Sequence, residues 1–352
     1  MSAVASWPEL LARLLSGRDL SPDEAVSAVG ALLAGETTPA QTAGFLVALR
    51  AKGETPTEIA AMLRAVQLAG VQVPLPESVR LAAVDVVGTG GDGTSSVNIS
   101  TMASLVVAGA GVPVCKHGNR ASSSSCGAAD VLEALGVALE ITPEGVARCV
   151  AEAGIGFCFA PRFHPAFRHV GPTRKELGIP TVFNMLGPLA NPAGVTRLLV
   201  GAASPAVAAL LAGALAAAGV QRAWVVHGPD GLDELSTGGP TQVWSVEQGA
   251  IDQWSLDPDA VGLTSASLDD LRGGAPPHNA ALARAVLQGE TGPRRDVVVL
   301  NAAAALVVAG VCDDLAQGVV RAQRSLDEGR ALDALERLVA VSQACATAGH
   351  DG

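Results

Sequence analysis

The chain has 352 residues, 49% of them hydrophobic, 16% charged and 3% aromatic, with no tyrosine and a formal charge of -11 at pH 7. That length exceeds the usual domain size of roughly 100 to 150 residues, so one large domain with a smaller companion is expected. The apolar content excludes disorder, the scarcity of rings argues against a stacking platform for single-stranded nucleic acid, and the acidic balance repels duplex phosphates; an anionic ligand must be held by a local site.

In chain order, one start signal comes three times: Ser21-Pro22-Asp23-Glu24, Thr38-Pro39-Ala40-Gln41 and Thr55-Pro56-Thr57-Glu58. Each puts a hydroxyl at the N-cap, proline at N1 and Glu or Gln at N3, the pattern of a capping box. Apolar residues at helical spacing follow the first two caps (Ala25, Ala28, Val29, Leu32, Leu33; Ala43, Leu46, Val47, Leu49), which predicts a helical module ending near residues 71–76. From residue 81 the pattern changes to short β-rich runs at 82–87, 112–115, 155–159, 197–202 and 223–227, with helical stretches at 100–110, 128–135 and 205–218. This order predicts an α/β fold with a mainly parallel central sheet flanked by helices, behind a small N-terminal helical domain. Ligands of such sheets bind beyond the carboxyl ends of the strands.

The six cysteines show no Cys-x-x-Cys spacing and sit in apolar or Ala-rich stretches, which predicts packing residues in a reducing compartment. Met1-Ser2-Ala3-Val4 begins no signal peptide, and the apolar stretches 205–220 and 297–311 are too short to cross a bilayer. A cytoplasmic protein with neither membrane nor nucleic acid as partner is expected.

Three segments carry chemistry. Gly88-Thr89-Gly90-Gly91-Asp92-Gly93 follows the first strand, with Ser95, Ser96, Asn98, Ser100 and Thr101 at the mouth of the next helix. Glycines let backbone amides approach phosphate, hydroxyls add donors, and the helix N-terminus favours an anion. The string also satisfies Gly-x-Gly-x-x-Gly, but a dinucleotide site wants an acidic residue about 20 positions on, and 108–116 contain none. A tight turn without ligand is the bland alternative. Lys116-His117-Gly118-Asn119-Arg120, then Ala121 and the serine run 122–125, forms a second polar loop; a compact ammonium there suits phosphate, and a solvated loop is its alternative. Asp233-Glu234, again after a strand, can supply carboxylate oxygens to Mg²⁺, or be a capping or solvated pair.

In that order, the glycine string, Asn98-Ile99-Ser100-Thr101, Lys116-His117-Gly118-Asn119-Arg120, Ala129-Asp130-Val131-Leu132-Glu133-Ala134-Leu135-Gly136, Val182-Phe183-Asn184-Met185-Leu186-Gly187-Pro188-Leu189-Ala190-Asn191-Pro192 and Asp233-Glu234 closely resemble the anthranilate phosphoribosyltransferases of tryptophan biosynthesis. The resemblance spans almost the whole chain. It implies a helical domain over 1–72, with a segment near 170–192 packing on it as part of the hinge, and a catalytic α/β domain over 73–352. It also implies homodimers formed through the helical domains, and transfer of 5-phosphoribosyl from phosphoribosyl pyrophosphate to the amine of anthranilate with Mg²⁺, two ions per subunit. By similarity, Gly88, Gly91, Asp92, Ser96, Asn98, Ile99, Ser100, Thr101, Lys116, His117, Gly118, Asn119, Arg120, Ala121, Ser122, Ser123 and Ser124 would contact phosphoribosyl pyrophosphate. Gly88, His117, Asn119, His164 and Arg174 would line the anthranilate site, with Asn119 and Arg174 orienting the acceptor. Ser100, Asp233 and Glu234 would serve the metals.

The family often has Ser where this chain has Ala128, so one hydroxyl contact is absent or replaced by an amide. No glutamine amidotransferase sequence is fused to the chain, so a stand-alone enzyme is expected. The rival readings are a pyrimidine nucleoside phosphorylase of the same superfamily, against which Asn119 and Arg174 speak, and a non-catalytic nucleic-acid-binding relative, which the acidic charge opposes.

Overall fold

The computed structural model describes residues 6–91, 93–121 and 124–348. Four helices open the chain: α1 (Trp7–Leu15), α2 (Pro22–Ala34), α3 (Pro39–Lys52) and α4 (Pro56–Ala69). Ser21, Thr38 and Thr55 each accept the N3 amide while the N3 side chain returns to the cap amide, as the repeated signal predicts. The sequence reading missed α1, although Glu9 at N3 accepts both the amide and the hydroxyl of the cap residue Ser6 at 2.8 Å, because proline there is at N2 rather than N1.

Glu58 does more than cap. Fully buried, it accepts the Leu20 amide at 2.9 Å and the Lys52 ammonium at 2.8 Å, which knits the starts of α2 and α4 to the end of α3. Removing one partner of a buried ion pair leaves the other charge stranded, at a cost of about 3–5 kcal/mol. Glu58→Ala is therefore expected to lower Tm sharply in thermal unfolding; a loss below about 1 kcal/mol would show that Lys52 is served by Asp19 alone.

A short α5 (Glu77–Ala82) leads into β1 (Val84–Gly88), α6 (Ile99–Gly109), β2 (Val114–Gly118), α7 (Ala128–Ala134), α8 (Pro143–Ala153) and β3 (Ile155–Phe159). After these come α9 (Ala160–Phe163), a 3₁₀ turn (Pro165–His169), α10 (Gly171–Leu177) and α11 (Val182–Leu189). The chain then returns to the sheet with β4 (Arg197–Gly201), α12 (Pro205–Ala217), β5 (Arg222–His227), β6 (Thr241–Glu247) and β7 (Ala250–Leu256). It closes with a 3₁₀ turn (Pro258–Val261), α13 (Pro276–Leu287), α14 (Pro293–Val308), α15 (Leu315–Asp327) and α16 (Arg330–Ala348).

The sheet runs β3-β2-β1-β4-β5-β6-β7; the first five strands are parallel, and β6 and β7 join antiparallel. The β6–β7 hairpin lies outside the five expected strands. Its turn, Gln248-Gly249, has two positive φ values (49° and 86°), and Gln is not a residue that signals such a turn. Strand residues alternate between two apolar layers. Val84, Val86, Leu199 and Val226 face a layer that includes residues of α6, α8, α14, α15 and α16; Val87, Leu198, Val200 and Val225 face one that includes α1 to α4, α11 and α12. Covering both faces is why the parallel strands read as continuous apolar runs. Within the second layer α10 packs on α3, and α11 on α3 and α4, by way of Val170, Val182, Phe183 and Leu186. No described helix is long and apolar enough to cross a membrane.

Candidate functional site

The motif-bearing segments meet where β1, β2 and β4 end. Asp233 and Glu234, each 8% exposed, lie in the loop between β5 and β6, so they are not the solvated pair that the sequence left open. Asp233 Oδ2 accepts the Gly90 amide at 2.6 Å, and Glu234 Oε1 accepts the Ser100 amide at 3.2 Å in the first turn of α6, where the helix dipole favours a carboxylate. From behind, Asn301 of α14 holds both backbone groups of Leu235, at 3.0 and 2.9 Å, and Ser236 donates to Asp230 at 2.7 Å.

Two glycines make room for this loop. A Cβ on Gly201 would sit 1.5 Å from the Asp233 carbonyl oxygen, and one on Gly88 would sit 2.3 Å from Asp233 Oδ2; the two residues are register partners on β4 and β1. Gly88 belongs to the glycine string, but no motif marks Gly201.

Lys116 and His117 were expected in a loop and instead lie on β2, because pairing with β3 continues through residues 114–118. Consecutive strand side chains point to opposite faces, so the pair serves two sides of the site. The Lys116 ammonium, 2% exposed, donates to the Val86 carbonyl and to Ser100 Oγ (3.3 Å). Burial pulls its pKa down, while the charges of Asp85, Glu234 and Asp233 push it back up.

On the other side, His117 meets His164 edge to face (5.0 Å), His164 stacks on Phe167 (5.3 Å), Phe167 meets Phe183 edge to face (5.3 Å), and the Arg174 guanidinium lies 5.4 Å above Phe183. The His117 pKa is pushed down to about 3, first by burial and then by His164, against a hydrogen bond with the Gly187 backbone. Burial also lowers that of His164, whose Nε2 donates to the Ala190 carbonyl at 2.8 Å. Both rings are neutral at pH 7, and His117 Nε2 and His164 Nδ1 have no partner among the described residues. Arg174 donates to Asn184 Oδ1 at 3.3 Å, and among the described residues no carboxylate lies within 4.0 Å of it. A half-buried cation in an aromatic wall suits the carboxylate of an aromatic ligand.

Other expected contacts are differently placed. Asn98 has its amide committed to Cys126 and Asn279, at 3.0 and 2.9 Å. The side chains of Ile99 and Thr101 are buried, which leaves the backbone at this helix start to face a ligand. Arg120 is bidentate to Glu133 (2.7 and 2.9 Å), also reaches Asp130 (3.1 Å) and lies over Phe159, so its side chain braces α7. Asp130 accepts the amides of Ala121 and Gly127 and folds that loop. Ser96 bridges to Arg272, Gly118 packs near Phe157, and Gly91, Asn119 and Ser124 are exposed. Asp92, Ser122 and Ser123 lie outside the described residues.

Two buried carboxylates beside a serine hydroxyl form a hard-oxygen donor set that fits Mg²⁺, an ion that takes one or two carboxylates and keeps waters and phosphate oxygens. A cleft of about 390 Å³ at the opposite end of the sheet has no such convergence: Arg222 there is paired with Glu247 and with the Val307 carbonyl.

The glycosyl transferase family, a/b domain, matches residues 80–332, and the glycosyl transferase family, helical bundle domain, matches residues 8–70. Anthranilate phosphoribosyltransferase of Salinispora arenicola is 53% identical over 344 residues, covering 96% of this chain and 97% of that protein. Among solved structures, anthranilate phosphoribosyltransferase from Thermus thermophilus has a TM-score of 0.89 at 47% identity, covering 95% of this chain and 99% of that one. The Saccharomyces cerevisiae enzyme in complex with PRPP and Mg has a TM-score of 0.88 at 30% identity, covering 97% and 99%. The same enzyme in complex with 4-fluoroanthranilate scores 0.85 at 30% identity, covering 96% and 99%.

Proposed function

The chain belongs to the anthranilate phosphoribosyltransferase family, and from that premise we propose how its residues carry out the transfer of 5-phosphoribosyl from phosphoribosyl pyrophosphate (PRPP) to the amine of anthranilate. The protein is a glycosyltransferase of tryptophan biosynthesis. The observation that carries the acceptor assignment is Arg174, a half-buried guanidinium above Phe183 with no carboxylate partner among the described residues. Anthranilate offers a ring for the aromatic wall and a carboxylate for the fork.

PRPP phosphates lie on the amides of the glycine string and of the α6 start, with Lys116 behind Ser100 and the segment 116–124 in contact with the donor. Anthranilate lies between Gly88, His117, Asn119, His164 and Arg174. Ser100, Asp233 and Glu234 would hold two Mg²⁺ ions, which, when bound, neutralise charge on the departing pyrophosphate. The glycosidic C–O bond breaks, the C–N bond forms, and the amine proton passes to solvent or pyrophosphate. The aromatic amine is already neutral at pH 7, so Asn119 and Arg174 supply orientation rather than basicity. Neutral His117 and His164 add no positive charge beside a carbon that becomes oxocarbenium-like.

The reading is tested by loss of anthranilate fluorescence on adding PRPP, with and without Mg²⁺, while pyrophosphate release is followed. Metal-dependent consumption coupled to release is expected; folded, metal-loaded protein that consumes no anthranilate would overturn the reading. In the same assay Glu234→Gln should raise the Mg²⁺ concentration for half-maximal rate by about tenfold or more. An unchanged metal response would remove Glu234 from the site.

We take 1–72 as the helical domain, with the segment near 170–192 packing on it, and 73–352 as the catalytic α/β domain. A homodimer through the helical face fits the exposed Leu15, Val47 and Leu68 of α1, α3 and α4. Five buried free thiols and one half-buried thiol fit a cytoplasmic location.

A further inference from the structure

β1 and β2 part company almost at once. β1 pairs with β4 over its whole length, Val84 to Gly88, and β2 pairs with β3 from Val114 to Gly118, yet β1 registers with β2 only at Val84 and Val114. Backbone groups facing this seam have lost their ladder partners, and buried backbone groups need replacements. Side chains supply them. Asp85 accepts the His117 amide (3.2 Å) and bonds the Val86 amide, Lys116 donates to the Val86 carbonyl, and Asn191 Nδ2 donates to the Cys115 carbonyl (2.7 Å). Asn191 Nδ2 also donates to Asp85 Oδ2 (2.8 Å), while its Oδ1 accepts the Ala193 amide (2.9 Å).

We propose that Asp85 and Asn191 are positioning residues for the transfer: a buried clasp that holds the sheet open between β1 and β2 and fixes the strand end bearing Lys116 and His117 against the segment after α11. The clasp touches both halves of the site. Towards the donor it sets Lys116, which bonds Ser100; towards the acceptor it sets His117, and Asn191 directly follows Ala190, whose carbonyl holds His164. Asp85 carries a pKa of about 6, raised by burial and opposed by Lys116, Asn191 and the backbone bonds, so its acceptor form prevails at pH 7. No motif reading singles out Asp85, and Asn191 enters the family likeness with no role.

The inference rests on the phosphoribosyl transfer above. Loosening the clasp misaligns two intact half-sites, and a displacement of about 1 Å between reactants costs on the order of 100-fold in rate. Asn191→Asp keeps the shape and the bond to Ala193 but sets a carboxylate against Asp85 and the Cys115 carbonyl. It is expected to lower kcat by roughly 30- to 100-fold while both KM values stay within about threefold. The double variant Asp85→Asn/Asn191→Asp puts amide and carboxylate face to face again, leaves only the Cys115 carbonyl without its donor, and should return kcat to within about tenfold of the parent. Tm is measured beside each, with kinetics taken well below it. Wild-type kcat in folded Asn191→Asp, a loss confined to KM, or a double variant no better than the single one would each overturn the clasp. Should Asn191→Asp not fold, the double variant decides: kcat within about tenfold of the parent supports the clasp, and a lower value overturns it. Absence of anthranilate turnover by the unmodified protein would instead overturn the reading on which it rests.

Discussion

Gly201→Ala is expected to lower kcat/KM for PRPP at least 100-fold. The added methyl would lie 1.5 Å from the Asp233 carbonyl oxygen and 2.3 Å from its carbon, and both are backbone atoms, so no rotamer relieves the clash. β4 cannot yield either, since Gly201 pairs with Gly88 on one side and Val226 on the other, and its carbonyl accepts the Thr89 amide at 2.9 Å. The loop must lift, which takes Asp233 from the Gly90 amide and Glu234 from the Ser100 amide. Overpacking of this kind costs about 1–3 kcal/mol of stability, and the catalytic loss should exceed what that cost explains. Steady-state kinetics with a Mg²⁺ titration, beside thermal unfolding, checks this; near-parental activity would show that the acid loop does not need its present seat.

Arg174→Ala should raise the anthranilate KM by about 10- to 100-fold and leave the PRPP KM within about twofold, since a charge-assisted pair contributes roughly 1.5–3 kcal/mol. Among the described residues its guanidinium reaches Asn184 and Phe183, both on the acceptor side, so its removal opens the acceptor wall. Equal rises in both constants would refute the assignment. Lysine at 174 should recover little, because an ammonium lacks the planar fork that lies on Phe183 and pairs with a carboxylate.

What could be read from the chain itself is local chemistry. The boxes at Ser21, Thr38 and Thr55 span four residues each, and the structure places α2, α3 and α4 behind them; the alternation of apolar strands with helices led to a mainly parallel sheet, which the structure has. The ordered motifs identified the family. Side-chain use was harder to foresee. Asn98 and Arg120 stand in those motifs, yet their side chains tie one scaffold element to another, to Asn279 for the first and to Glu133 for the second. Lys116, expected in an open loop, is buried on a strand because the β2–β3 ladder extends past Cys115.

The sequence by itself determined the helix starts, the α/β alternation, the family and which short strings could meet phosphate or metal, because each depends on residues a few positions apart. Tertiary structure alone decided the rest: that Asp233 reaches Gly90 across 143 positions, that Gly201 must lack a side chain, and that Asp85 and Asn191, 106 positions apart, fill a parted seam. Those requirements come from chain segments that meet only after folding, so no local pattern around Gly201 or Asp85 records them, and the motif that holds Asn191 does not show its partner.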